Sequence, residues 1–160
     1  MVHISTLSIL SHNFTMATYT MWANQHALIL QDSGWHATHL QWGVNVTAPP
    51  ETSGLSNWVH FPIPTPTIIA GQSVEATTAY VRLETGPQAS ITSITVYDGE
   101  SPILIVNADI SGSLKTYTWE IPKVAISYGV GIDAQIKFSG TDPDQAFAGF
   151  VGAGVSFSVV

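Results

Sequence analysis

The chain has 160 residues, 45% of them apolar and only 9% charged, with a formal net charge of −7. Such a length fills one sizeable core but not two, and so apolar a composition with so little charge excludes a disordered chain. The fixed cations are Arg82, Lys115, Lys123 and Lys137, too few and too scattered to neutralise a run of phosphates or to dock on an anionic membrane. Cysteine is absent, which excludes disulfides, thiolate metal sites and cysteine nucleophiles.

Residues 1–15 contain no Lys or Arg and no small-residue cleavage pattern behind a long apolar run, so they do not form a standard signal peptide. They are expected to be a peripheral segment, with the folded domain spanning 16–160. The segment is apolar enough at Val2, Ile4 and Leu7 to Leu10 for a short strand, so a start-site extension and a strand donated to a neighbouring sheet edge both fit. No apolar run reaches the roughly 18 residues of a membrane-spanning helix. A soluble protein is expected, in a compartment that the residues do not specify.

Ala23 to Gln31 is the one stretch where helical and extended spacing compete. Beyond it, turn residues recur at short intervals: Asp32-Ser33-Gly34, Ala48-Pro49-Pro50, Ala70-Gly71-Gln72, Thr85-Gly86-Pro87, Asp98-Gly99-Glu100, Ser111-Gly112-Ser113 and Thr141-Asp142-Pro143-Asp144. Asp-Gly supplies the positive φ of a hairpin and Pro presets the first turn position. The run Phe61-Pro62-Ile63-Pro64-Thr65-Pro66 lacks the donors of an interior strand and reads as a crossover between sheets, in preference to a polyproline ligand.

Between the turns, apolar residues alternate with polar ones. Ala79, Val81 and Leu83 interleave with Tyr80, Arg82 and Glu84, and Tyr117, Trp119 and Ile121 with Thr116, Thr118 and Glu120. The longest series, Tyr128, Val130, Ile132, Ala134, Ile136 and Phe138, is expected to face inward throughout. The last segment is expected to bury Phe147, Val151, Ala153, Val155, Phe157 and Val159. Closely spaced strands without helices between them indicate an all-β fold, an antiparallel β-sandwich of jelly-roll type in a single domain.

Four blocks carry a family resemblance: Tyr19-Thr20-Met21-Trp22, Asn57-Trp58-Val59-His60-Phe61-Pro62-Ile63-Pro64-Thr65-Pro66, Val96-Tyr97-Asp98-Gly99 and Tyr128-Gly129-Val130-Gly131-Ile132. From about Met16 onward the chain resembles an uncharacterised family of small, mainly bacterial β-sandwich proteins, a domain of unknown function. Tyr128 stands where that family is expected to carry Trp. The resemblance implies a fold and no activity.

Six histidines are the most conspicuous chemical feature. His36 and His39 have the spacing of a ligand pair, but positions i and i+3 of a strand face opposite ways, so the pair converges only across a turn or bulge. Ordinary surface histidines are the expectation, with no metal site, since zinc needs three or four ligands at about 2 Å. His60 shares a face with Trp58, opposite Asn57, Val59 and Phe61, and is expected to be partly buried against a backbone carbonyl. No Gly-x-Ser-x-Gly elbow supports a nucleophile. The acids Asp98, Glu100, Asp109, Glu120, Asp133, Asp142 and Asp144 mostly occupy turns, where solvation makes them poor general acids. Calcium takes about six to eight oxygens, more than the Asp142–Asp144 loop offers, although a calcium role for Asp142 and Asp144 stays open.

Of the five tryptophans, Trp119 is assigned to the core, whereas Trp35 and Trp42 flank a polar, His-bearing region and are expected to be exposed. Exposed aromatics stack on sugar rings while neighbouring polar groups bond the hydroxyls. The function expected is therefore a non-catalytic binding module for carbohydrate or another polar surface ligand, using Trp35, Trp42, His36, His39 and His60. A self-assembling subunit pairing sheet edges and a hydrolase in which His60 or His36 meets a carboxylate are the alternatives. A glycan or further copies of the chain are the expected partners, and no catalytic residue and no cofactor is assigned. Chelation should leave the melting temperature unchanged in a thermal scan with and without EDTA. A fall of several degrees would show a structural metal ion.

Overall fold

The structure, a computed structural model, describes residues 17–49 and 55–160. Its strands in chain order are β1 (Thr18–Asn24), β2 (Ile29–Leu30), β3 (His36–His39), β4 (Val44–Thr47), β5 (Ser56–Pro62) and β6 (Ile68–Ile69). They continue with β7 (Gln72–Thr85), β8 (Ala89–Asp98), β9 (Ser101–Ile110), β10 (Lys115–Ala125), β11 (Val130–Phe138) and β12 (Phe147–Val159). All pairings are antiparallel, in a five-stranded sheet ordered β2-β5-β11-β8-β9 and a seven-stranded sheet ordered β10-β7-β12-β4-β3. In the latter, β1 continues the edge of β12 beyond β4, and β6 pairs with β7. The fold is thus an all-β sandwich of jelly-roll type. Among the described residues no helix is long and apolar enough to cross a membrane. The segment 1–15, expected to be peripheral, lies outside the described residues.

The core forms where the inward faces of the two sheets meet. Val59 and Phe61 of β5, Ile132 to Phe138 of β11 and Ile91 to Val96 of β8 close on Val74 to Leu83 of β7 and Phe150 to Phe157 of β12. Phe61 and Phe150 join the layers, with ring centroids 5.8 Å apart. The proline run ends β5 and then leaves for the other sheet, as a crossover must.

Bulges change which residues of a strand point inward, because one extra residue reverses every side chain beyond it. On β12, Phe150 pairs with Leu83 and Gly152 with Arg82, leaving Val151 as the extra residue. Ala148 and Phe150 are buried before it, and Ala153, Val155 and Phe157 after it. Val151 is therefore only half-buried, which corrects the uninterrupted alternation expected for this strand. On β7 the shift at Thr77 does the same, so that Val74 and Ala76 face inward before it and Ala79, Val81 and Leu83 after it.

Three other expectations meet the structure. Ala23 to Gln31 resolves into the end of β1, a single 3-10 turn at Gln25–Ala27 and the short β2, with the Asn24 carboxamide oxygen capping the turn by accepting from His26 N. The series starting at Tyr128 faces inward only from Val130. Gly129, at φ +143°, turns the chain before β11 begins and leaves Tyr128 84% exposed. Trp35, expected at the surface, is only 4% exposed and stacks on Phe138 with centroids 5.0 Å apart. The reason lies in the preceding turn: buried Asn57 accepts from Asp32 N at 3.0 Å and donates to Asp32 O at 3.1 Å, pinning the turn so that the indole plugs the core.

Replacing Ile132 with Asp should abolish folding, since an unpaired carboxylate would sit in a fully buried position. Tyr128→Ser should keep stability within about 0.5 kcal/mol of wild type. Denaturant titration of both variants checks the register, and the opposite ranking would refute it.

Candidate functional site

The outer face of the seven-stranded sheet is built row by row from the strand pairing. One row runs Trp22, Gly154, Tyr80, Thr118, and the next runs Asn24, Gly152, Arg82, Thr116. The bulge at Val151 is what turns both glycines outward. A Cβ on Gly154 would lie 2.7 Å from Trp22 Cδ2, so only glycine lets the indole lie down against the strand. Trp22 and Tyr80 then stack side by side, with centroids 5.6 Å apart and planes 30° off parallel. Ser156, two residues along β12 from Gly154, anchors Tyr80 through a hydroxyl contact to its Oη at 3.0 Å and also meets Thr20 Oγ1 at 2.8 Å.

Beside this aromatic pair is an open cleft of about 450 Å³, walled by Trp22, Asn24 and Gln25 on one side and Arg82 and Thr116 on the other, over Gly152. Trp22 remains 44% exposed. The Arg82 guanidinium reaches Thr116 Oγ1 at 3.4 Å, and no carboxylate of the described residues lies within ion-pair distance of it. Asn24 spends its carboxamide oxygen on His26 N and keeps its NH₂ donors for solvent or a ligand. An aromatic surface, amide and guanidinium donors and a hydroxyl thus surround one cleft.

The residues singled out in the sequence are dispersed. Trp35 is in the core. His36 and His39 lie on β3, a regular strand, where His39 shares the face of Val44 and His36 that of Thr47, so the two do not converge. His39 stacks instead on His26, with centroids 5.4 Å apart. Trp42, at the tip of the β3–β4 hairpin, is 45% exposed as expected. His60 lies on the outer face of the other sheet, where its Nδ1 meets the Asp133 carboxylate at 2.9 Å rather than a backbone carbonyl. Asp142 uses both carboxylate oxygens inside its own loop, accepting from Asp144 N and Gln145 Nε2, each at 3.0 Å. Among the described residues no group of three or more His, Asp or Glu is placed to hold a metal ion.

Trp22 and Tyr80 were missed as a pair. The available signals were Tyr80 on the wet side of its alternating strand and the glycines at 152 and 154, which leave room above β12.

A second constellation forms at one end of the sandwich. The Asp98 carboxylate, buried at the end of β8, accepts from Ser127, Tyr128 and Gly129 backbone N–H groups, each at 2.9 Å. Burial pushes this carboxyl up, but the N–H groups of Gly129, Ser127 and Tyr128 together outweigh it and hold the group below the ordinary carboxylate value.

A sequence model of a family of unknown function, DUF6623, matches residues 36–159. The chain belongs to that family. No curated protein matches it in sequence. Among solved structures this DUF6623 chain is similar to a xylan-binding module, CBM86, from Roseburia intestinalis, at 15% identity over 90% of this chain and 96% of that one, with a TM-score of 0.51. It also aligns with the C-terminal CBM6 of LamC from Zobellia galactanivorans, at 11% identity over 87% and 98% of the two chains, with a TM-score of 0.49. The CBM86 likeness is one of fold.

Because the folded-state pKa of Asp98 is depressed, its contribution to stability is complete above the unfolded value of about 4 and is lost as pH falls through the lower folded value. Asp98→Asn should therefore cost about 1–3 kcal/mol at neutral pH and flatten the acid limb of the stability curve. Denaturant titrations from pH 7 to pH 2.5 measure both, and an unchanged acid limb would remove the role given to this carboxylate.

Proposed function

We propose that this DUF6623 chain is a non-catalytic carbohydrate-binding module that holds a glycan against the outer face of its seven-stranded sheet. The observation that carries the reading is the Trp22 indole, laid down over Gly154 and still open to solvent, at the wall of a cleft lined by Asn24, Gln25, Arg82 and Thr116. A sugar ring offers apolar C–H faces to an aromatic surface and hydroxyls around its rim, so it needs a flat π-face ringed by hydrogen-bonding side chains. The fold shared with the xylan-binding CBM86 module supports the reading by analogy.

Of the β3 histidines, His36 shares the outward face of Thr47 and would extend the contact for a longer chain together with Trp42 at the hairpin tip, whereas His39 lies on the face of the buried Val44 and is turned away from it. His60 belongs to the opposite sheet and has no part in this site. Its pairing with Asp133 is the arrangement a hydrolase would require, but on its other side the strand partner of His60 is Ile29, which has no group to give up or receive a proton. His60 and Asp133 are direct partners on neighbouring antiparallel strands, and the pair fits a structural contact across the sheet.

Affinity electrophoresis through gels containing xylan, β-glucan or mannan tests the reading. The wild-type chain should be retarded by at least one of them, and Trp22→Ala should weaken that binding about tenfold, the equivalent of one good aromatic contact, while remaining folded. Equal retardation of wild type and variant, or none in any gel, would contradict it.

A further inference from the structure

Three distant segments converge on Tyr128. Asp98 holds the backbone of Ser127, Tyr128 and Gly129 through its three accepted bonds, and Gly99 N donates to Gly129 O at 2.9 Å. From the crossover after β5, Thr65 Oγ1 accepts from Val130 N at 2.9 Å and donates to Ile63 O at 2.7 Å, while Ile63 N donates to Val130 O. Gly99, in the left-handed region at φ +59°, is pressed against the tyrosine: a Cβ there would lie 3.1 to 3.3 Å from Tyr128 Cβ, Cγ and Cδ2. The side chain held by all this is 84% exposed. It makes no use of its ring in the core, and none of the bonds around it involves its hydroxyl.

A loop fixed on both flanks, carrying an aromatic ring into solvent, costs little ordering entropy when a ligand arrives. The space beside the ring, about 460 Å³, is lined by Tyr128, Gly99, Glu100 and Ser101. A carboxylate and a hydroxyl stand there with no Lys or Arg among the lining residues, which favours a ligand that donates hydrogen bonds and carries no negative charge. We propose that this end of the sandwich is a second binding site, for a neutral sugar ring stacked on Tyr128 with its hydroxyls bonded by Glu100 and Ser101. The proposal shares with the preceding one only the view that the chain binds glycans, since the two sites have no residue in common.

The test is titration of the ¹⁵N-labelled chain with neutral oligosaccharides (xylohexaose, cellohexaose and mannohexaose), reading the amides of Gly99, Glu100, Ser101 and Gly129 separately from those of Asn24, Gly152 and Gly154. With at least one of them, the first group should shift in wild type and in Trp22→Ala. In Tyr128→Ala the affinity read at that group should fall about tenfold, and Tyr128→Phe should retain it. Shifts confined to Asn24, Gly152 and Gly154 would overturn the second site and leave the sheet-face site standing; shifts confined to the first group would do the reverse. No shift with any of the three sugars would overturn the second site. So would sugar-independent, concentration-dependent shifts at Tyr128 with a change in sedimentation on Tyr128→Ala, which would make the ring a contact between copies of the chain.

Discussion

The seven-stranded sheet depends on one extra residue in β12. This strand pairs with β7 along one edge and with β4 and then β1 along the other, so it must present apolar side chains inward over its whole length. A strictly alternating strand of this sequence could not do so, because Phe150 and Val155 have opposite parity. The bulge at Val151 reconciles them. It buries Phe150 on one side of the break and Ala153, Val155 and Phe157 on the other, and sends Gly152 and Gly154 outward. Burial of several large side chains, each stabilising by roughly 1.5–3 kcal/mol, enforces that choice, and the glycines on the outer face follow from it.

The chemistry of the outer face is therefore a by-product of packing on the inner one. Glycines beneath a strand neighbour remove side-chain bulk where β1 brings Trp22 across, and the indole settles over Gly154. Tyr80 is directed to the same place by the corresponding shift on β7, and Arg82 follows two residues later on the same face. The result is an aromatic surface with donors around it in a chain that carries few charges elsewhere. Such a surface offers an apolar π-face beside hydrogen-bond donors, which suits a ligand whose own recognition groups are uncharged hydroxyls.

Much of the architecture was legible because burial with period two leaves a direct trace: the alternation in β7, β10 and β11 identifies these strands and their inward faces, while their division between the two sheets comes from the pairing. Bulges leave no such trace, so the parity change in β12 could be seen only once the strands were paired, and the exposure of Tyr128 follows from the turn at Gly129, which ends the alternation before β11 begins. Trp35 was misplaced for a related reason. Its neighbours Asp32, Gly34, His36 and His39 read as surface, and the buried carboxamide of Asn57 that draws the turn inward is 25 residues away in sequence from Asp32. Asp98 was recognisable as a hairpin residue, but its bonds to Ser127, Tyr128 and Gly129 join segments that no local pattern connects.

The most direct test of the sheet-face site is a crystal structure of the chain with a bound oligosaccharide. A sugar ring should lie parallel to the Trp22 indole, above Gly152, with its hydroxyls within hydrogen-bond distance of Asn24, Gln25 or Arg82. A sugar seated instead on the five-stranded sheet, beside His60 and Asp133, with the Trp22 cleft filled only by solvent, would contradict it.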